Sequence, residues 1–546
     1  MSEKATYQED HAIHKGVSES TVYHETPLSN GTLEDGVKRD LKTRHISMIS
    51  IGGTIGTGLF VASAGNIANA GPLGALLAYL FMGFTVYCIM TCLGEMATLI
   101  PVSGSFNHYG GRFIDPALGF ALGWNYWISW GTALATELVA FAVVIDYWGD
   151  TIPHWAWALI VLGAIIALNL VGGKGYGESE YWLSIIKIIV VIIFIIVGIL
   201  VASGAVGGHT YGFENWGEDR AINVAGAYNN GFVNWFATLI TVGFAYMGTE
   251  LVGIAAGESR NPRKAVPKAI RNVFWRILVF FLGSVFFMGL IIRSDDPSLV
   301  ESESGARAVV TAPFTTVFQK ANIGPAADII NAVLLTVLFS AANSALYSGS
   351  RILMALAREG KAPAFVGRTN GRGVPIYALA ATSLFGFAIA LVQVFSPDGV
   401  FPWILGVSSI SGFISWAAIG FTHIRFRQAY IAQGRDIKAL PYKAIAYPFT
   451  AWWGGIMCTI IIIFSGFSSF TPEWNVSMFL QTYICVFIFI LTFVGYKIVK
   501  RTRIIPLMEV DLDTGVRWAD IKEEQDEAAR TRSTNIFVRA IQCICG

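Results

Sequence analysis

The sequence predicts an all-α polytopic membrane protein of twelve transmembrane helices. Three observations carry that prediction. Of 546 residues, 54% are hydrophobic and only 14% charged, against about 25% charge in a soluble chain. Apolar runs of about 20 residues recur, each long enough to cross about 30 Å of hydrocarbon. Twelve are centred near residues 56, 86, 132, 163, 192, 244, 282, 338, 385, 412, 459 and 487. Finally, the first and sixth runs are both interrupted by glycines, as a five-plus-five inverted repeat followed by two additional helices requires.

Charge placement orients the chain. Residues 1–45 are polar, hold Lys4, Lys15, Lys38, Arg39, Lys42 and Arg44, and contain no apolar core of a cleaved signal peptide. If this tail is cytoplasmic, the inner loops near 101–116, 172–180, 257–272, 358–374 and 425–446 carry 16 Lys and Arg. The outer loops carry about four: Arg220, Arg293, Arg307 and Lys320. The positive-inside rule then puts both termini in the cytoplasm. The expected organisation is a disordered cytoplasmic tail over 1–45, a membrane domain over 46–503 and a cytoplasmic tail over 504–546. The six cysteines are Cys88, Cys92, Cys458, Cys485, Cys543 and Cys545, none in an outer loop, so no extracellular disulfide framework is expected. Cys543 and Cys545, in "AIQCICG" at the extreme tail, suit palmitoylation; the alternative is two ordinary reduced thiols.

The first run reads "SIGGTIGTGLFVASAG". Gly52, Gly53, Gly56 and Gly58 fall within seven residues, and each interior glycine costs a helix roughly 1 kcal/mol relative to alanine. Backbone polar groups in lipid must be satisfied internally, so a loosened helix is tolerated only where it lines a cavity or is buried in protein. The stretch Gly53, Thr54, Gly56, Thr57 and Gly58 therefore points to a binding site in which freed N–H groups meet an anion. The sixth run, "TLITVGFAYMGTELVGIAAGES", is broken by Gly243, Gly248 and Gly253. Carbonyls near Phe244, Ala245 and Gly248 are candidate acceptors for an ammonium group. A carboxylate at one break and an amine at the other describe an α-amino acid. Close packing through small residues is the alternative for either cluster alone.

Five motifs in order, "GGTIGTGLF", "GEMATLIPVSGSF", "GTELVGIAAGESRNPRKAVPKAI", "SAANSALYSGSRILMALA" and "GVPIYALA", resemble those of the fungal amino acid permeases. These form the yeast amino acid transporter group of the amino acid–polyamine–organocation superfamily. The resemblance covers about residues 42–515. It implies a LeuT-type fold of twelve helices and proton-coupled uptake of L-amino acids at the plasma membrane. The third and fourth motifs are most similar to those of the basic permeases for arginine and lysine. Those permeases carry "NITG"-like text where this chain has "GVSS". A broad-range, neutral or proline permease, or a transporter that also acts as a nutrient sensor, therefore stays open.

Ionisable residues inside spans cost about 2.5–3.5 kcal/mol each on insertion scales, so each is a functional hypothesis. Lys187 lies in "SIIKIIVVIIFIIVG", and the fifth span offers it no carboxylate nearby. One reading has it snorkel to the cytoplasmic surface. The resemblance implies the other: a lysine that touches the broken first helix and carries the coupled proton. Glu137 on the third span either faces the cavity, in binding or proton coupling, or ties that span to a neighbour. The resembling permeases generally carry it, including those for neutral substrates. Glu250 is expected to bond freed N–H groups at the sixth-span break, and Glu95 to make a gate or structural contact. Trp130 can offer an aromatic face to a cation. Thr132, Ser340, Asn343 and Ser408 are further polar candidates, although such side chains also bond back to their own helices.

The sequence carries no P-loop, HExxH motif or metal-ligand cluster, so no enzyme, ATP-driven pump, cofactor or metal is expected. The expected partners are an L-amino acid, protons and the bilayer, not nucleic acid. By resemblance, ubiquitin and phosphorylation machinery act on the tails.

Overall fold

The computed structural model describes residues 41–516, apart from 53–54, 103, 150–151, 218–219, 225–229, 297–298, 300–312, 323–324, 396 and 471–473. Gly53, Thr54, Cys543, Cys545 and nearly all of the N-terminal tail lie outside the described residues.

The regular elements described are helical, apart from one isolated bridge between Leu41 and Ser259. The first crossing is assembled from α1 (Thr43–Gly52), α2 (Thr57–Phe60) and α3 (Ser63–Ala70). There follow α4 (Pro72–Leu99), a short α5 (Ser105–Phe113), α6 (Pro116–Ile145), α7 (His154–Leu170) and α8 (Gly173–Ala202). The run expected as the sixth crossing is α9 (Gly231–Tyr246) and α10 (Leu251–Gly257). Next, α11 (Pro262–Trp275) passes through a π-helical turn, Arg276–Leu282, into α12 (Gly283–Ile291). The chain continues through α13 (Pro313–Lys320), α14 (Ala326–Arg358), α15 (Ile376–Phe395), α16 (Pro397–Ala432), α17 (Phe449–Phe464) and α18 (Val476–Lys500). Among the described residues eight helices are long and apolar enough to cross a membrane, and the bent first crossing adds a ninth. The stretches His154–Leu170, Ile376–Val392 and Phe449–Phe464 are shorter apolar helices.

Helix starts follow capping chemistry. The Asp115 carboxylate accepts from the Ala117 N–H at 2.9 Å, ahead of Pro116 at the first helical position. Asn230, Asn261 and Asn475 cap α9, α11 and α18 in the same way. The connection 101–116, expected on the inner side, is more than a loop. Phe106, Tyr109 and Phe113 recur at helical spacing and bury one face of α5.

The reading of 172–180 as a loop, and of Lys187 as lacking a carboxylate in its own span, does not hold. Helix α8 begins at Gly173, so Glu180 already lies two turns inside it. Ile186, Ile189, Ile193 and Ile196 are exposed on the outward face. Glu180, Ser184, Lys187, Val191, Phe194 and Gly198 are buried on the other. Residues 180 and 187 share that face because seven residues complete two turns.

At one end of the bundle, Glu95 of α4 joins α16 to the segment after it. Arg427 contacts it through Nε at 2.5 Å and donates through Nη2 at 2.7 Å. The Ala444 N–H donates to it at 2.6 Å, and His423 Nε2 lies 3.3 Å away. Removing one partner of such a buried group leaves charge uncompensated, at a cost of about 3–5 kcal/mol. Glu95→Ala is expected to lower the melting midpoint of the detergent-purified protein markedly, and Glu95→Gln to lower it less. A parental midpoint in Glu95→Ala contradicts this clasp.

Candidate substrate site at the two helix breaks

Both broken crossings face one small cavity. A cavity of about 50 Å³ is lined by Gly56, Thr57 and Gly58 of the first crossing and by Phe244, Ala245 and Met247 of the sixth. Trp130, Ala133 and Glu137 close it from α6, and Ala341, Ser344 and Ala345 close it from α14. Such a volume holds a few water-sized groups, comparable to the head of an amino acid. A larger apolar groove of about 960 Å³, lined by Leu77, Leu80, Phe84, Phe232 and Trp235 among others, lies on the outward surface and holds no ionisable residue.

The glycines act through contact distance. A Cβ on Gly58 would lie 2.4 Å from the Ala245 Cα, so the two crossings touch backbone to backbone there. A Cβ on Gly56 would come within 3.3 Å of both the Ala341 Cβ and Glu137 Oε1, filling the cavity edge. In the sixth crossing α9 ends at Tyr246, Met247 is extended and Gly248 sits at φ +82°, a conformation that favours glycine.

Charged side chains meet the broken backbone. Thr57 Oγ1 donates to Glu137 Oε1 at 2.9 Å, while Glu137 Oε2 is buried with no hydrogen-bond partner among the described residues. Glu250 Oε1 accepts from the Gly248 N–H at 3.3 Å and from the Tyr126 hydroxyl at 2.5 Å. Its other oxygen accepts from Trp416 Nε1 at 3.0 Å. Lys187 does not snorkel: it is fully buried. Its Nζ donates to the Gly52 carbonyl at 2.9 Å and lies 3.8 Å from Glu180 Oε1. Gly52 permits this approach, since a Cβ there would stand 2.5 Å from Ser184.

Several polar candidates lie outside the cavity lining. Thr132 Oγ1 donates to the Ser129 carbonyl of its own helix at 2.8 Å. Ser340 donates to Glu180 Oε1 at 2.7 Å, joining the Lys187 cluster. Asn343 accepts from Asn169 Nδ2 at 2.9 Å, and Ser408 contacts Met247 Sδ at 3.9 Å. The sixth-span carbonyls are less free than the glycines suggest. Phe244's accepts from the Met247 N–H at 3.1 Å, and Gly248's from the Leu251 N–H at 3.0 Å. Local turns thus satisfy part of the break. Gly248 shapes that turn without lining the cavity.

A family model for amino acid permeases matches residues 45–506. This chain belongs to the amino acid permease family. The lysine-specific permease of Lactococcus lactis is 44% identical over 89% of this chain and 94% of its own length. The histidine permease of that organism is 43% identical over 88% and 98%, and the basic amino-acid permease of Saccharomyces cerevisiae 40% over 88% and 84%. These relatives are transporters, not enzymes.

In this permease an aromatic pair and an ion pair follow the cavity along α14. Ser344 lines the cavity, and its hydroxyl lies 3.2 Å from that of Tyr176. One turn further along α14, Tyr347 stacks on Tyr176 with ring centroids 3.7 Å apart. Below them, buried Arg351 donates to Glu258 Oε1 at 2.6 Å and lies over the Tyr347 ring at 4.4 Å. Glu180 and Arg276 were passed over in the sequence. The available signal for the last was one cation in the apolar run "NVFWRILVFF".

Gly58→Ala is expected to push the two crossings apart and lower uptake more than about tenfold, since small misplacements in a site carry large rate effects. Gly56→Val is expected to abolish uptake while the protein still reaches the membrane. Gly65→Ala, where a Cβ meets nothing within 4 Å, serves as control. Parental uptake by Gly58→Ala or Gly56→Val contradicts the site.

Proposed function

We propose that this permease is a secondary transporter that imports cationic L-amino acids, lysine and arginine foremost, across the plasma membrane with protons. In this reading both termini are cytoplasmic. The long, bent and short apolar helices together make twelve crossings, five and five related by inversion in the LeuT manner and two more. The observation that carries it is the meeting of both helix breaks with Glu137 around one cavity. The N–H groups from Gly56 to Gly58 take the substrate carboxylate. The Phe244 and Ala245 carbonyls take its α-ammonium group, since a carbonyl engaged once retains a second lone pair. Glu137's unengaged oxygen and the Trp130 ring supply acceptor and π-face for a cation. The relatives named for lysine and for basic amino acids support the substrate class.

Lys187 is the proposed proton carrier. Protonated, it holds the Gly52 carbonyl and balances Glu180. Deprotonated, it loses the charge behind that contact, which gives the first crossing two states to occupy. Release inward requires the Tyr176–Tyr347 stack and the Arg351–Glu258 pair to part.

The test is uptake of labelled L-lysine by purified protein in liposomes, with and without an inward proton gradient. Accumulation is expected only with the gradient, with displacement by arginine and poor displacement by cadaverine, which lacks the carboxylate. Lys187→Met is expected to keep exchange and lose accumulation. Gradient-driven accumulation by Lys187→Met removes it as carrier. Equal displacement by proline or leucine makes the protein a broad-range permease. Stronger displacement by histidine favours the specificity that the histidine permease's name suggests.

A further inference from the structure

Arg276 is a fully buried cation in the seventh crossing, and the coupling scheme above makes no use of it. It opens the π-helical turn Arg276–Leu282, within the helical run Pro262–Ile291, which contains an apolar window long enough to cross a membrane. Such turns widen a helix locally and are frequent at functional sites.

The guanidinium lies between the two broken crossings. Nη1 donates to the Ser50 carbonyl at 2.8 Å. Ser50 belongs to the last turn of α1, ahead of the first break. Nη2 donates to Thr249 Oγ1. The Thr249 hydroxyl in turn donates to the Tyr246 carbonyl at 2.6 Å, and Tyr246 is the last residue of α9, ahead of the second break. One side chain therefore reaches, directly or through one hydroxyl, the carbonyl ends of both half-helices that lead into the breaks. Those ends carry the negative pole of the helix dipole, where a cation is favoured.

The two buried cations differ in kind. Lys187 approaches the end of α1 from α8, through the Gly52 carbonyl, and an ammonium can release its proton. A guanidinium stays charged in proteins and presents a rigid planar fork that holds two acceptors at a fixed angle.

We propose that Arg276 is a positioning residue: a permanent cationic tie, relayed by Thr249, that makes the inner half of the first crossing and the break of the sixth move as one unit while Lys187 switches. The inference rests on the transport reading of the two breaks.

The test uses purified full-length protein and L-lysine as probe. Equilibrium binding in detergent is compared with initial uptake and exchange rates in liposomes for Arg276→Lys, Arg276→Met, Thr249→Val and the Arg276→Lys/Thr249→Val pair. Lysine affinity is expected to stay within about threefold, while uptake and exchange both slow at least about tenfold in Arg276→Lys, because a misaligned site loses rate before affinity. Thr249→Val, which keeps the arginine and the bulk, is expected to slow both about fivefold or more. The pair is expected to be no slower than Arg276→Lys alone, because the two residues form one tie. Arg276→Met is expected to be the slowest, and should it fail to fold, the lysine and valine variants carry the test. Parental rates in both Arg276→Lys and Thr249→Val overturn the proposal. So does a loss confined to the yield of folded protein, with parental turnover in what remains, or a strictly additive pair. Lys187→Met, measured alongside, separates the two readings. If it still accumulates lysine with the proton gradient, the coupling scheme fails and the Arg276 result stands alone. If the parent ignores lysine but carries another amino acid, the substrate reading fails and the same comparison is made with that amino acid.

Discussion

The constraint behind this structure is that a backbone opened inside hydrocarbon must find new partners. Two crossings are opened, and the ionisable groups buried around them answer the exposed ends. Lys187 and Arg276 donate to carbonyls at the end of α1, and Arg276 reaches the end of α9 through Thr249. Glu250 accepts from the freed N–H of Gly248. Each of these side chains would be costly in an unbroken apolar bundle. With the breaks they become the partners that keep the bundle intact.

Small residues make those contacts reachable. Gly58 lies against Ala245, and Gly52 against Ser184, at separations where a Cβ would overlap backbone or side chain. The crossings are therefore close enough for single hydrogen bonds to link them, and the space left between them is small. Next to Ser344 of its lining come the Tyr176–Tyr347 stack and then the Arg351–Glu258 pair. In the proposed transport cycle a bulky cationic side chain enters only as neighbouring groups give way, which ties occupancy to conformational state.

How much of this was legible in the sequence depended on the kind of signal. The breaks were readable because glycine inside an apolar run is locally unfavourable and needs a reason. Glu250 was readable as their companion, two residues beyond Gly248. Lys187 stood out as a cation among isoleucines, but its partner Glu180 did not, since the start of α8 read as a polar loop. Only helical phase places residues 180 and 187 on one buried face. Arg276 carried the same kind of signal, one cation in an apolar run, but its acceptors, Ser50 and Thr249, are distant in the chain and come together only through the fold. Ser340 was picked out as a polar residue in an apolar helix and a candidate substrate contact, whereas it bonds Glu180 and lies outside the cavity lining. Its position relative to the cavity followed from α8, which nothing in its own neighbourhood reveals. The tail cysteines stay an expectation from a short motif, and the tails' regulatory roles one from resemblance.

In the proposed cycle the substrate's α-amino acid head sits between the two breaks. An electron cryomicroscopy map of the protein saturated with L-lysine in lipid nanodiscs would show it. Density is expected for the carboxylate against the main-chain N–H groups of Gly56 to Gly58 and for the α-ammonium group against the carbonyls of Phe244 and Ala245. Lysine density elsewhere, with the space between the breaks unchanged, would contradict it.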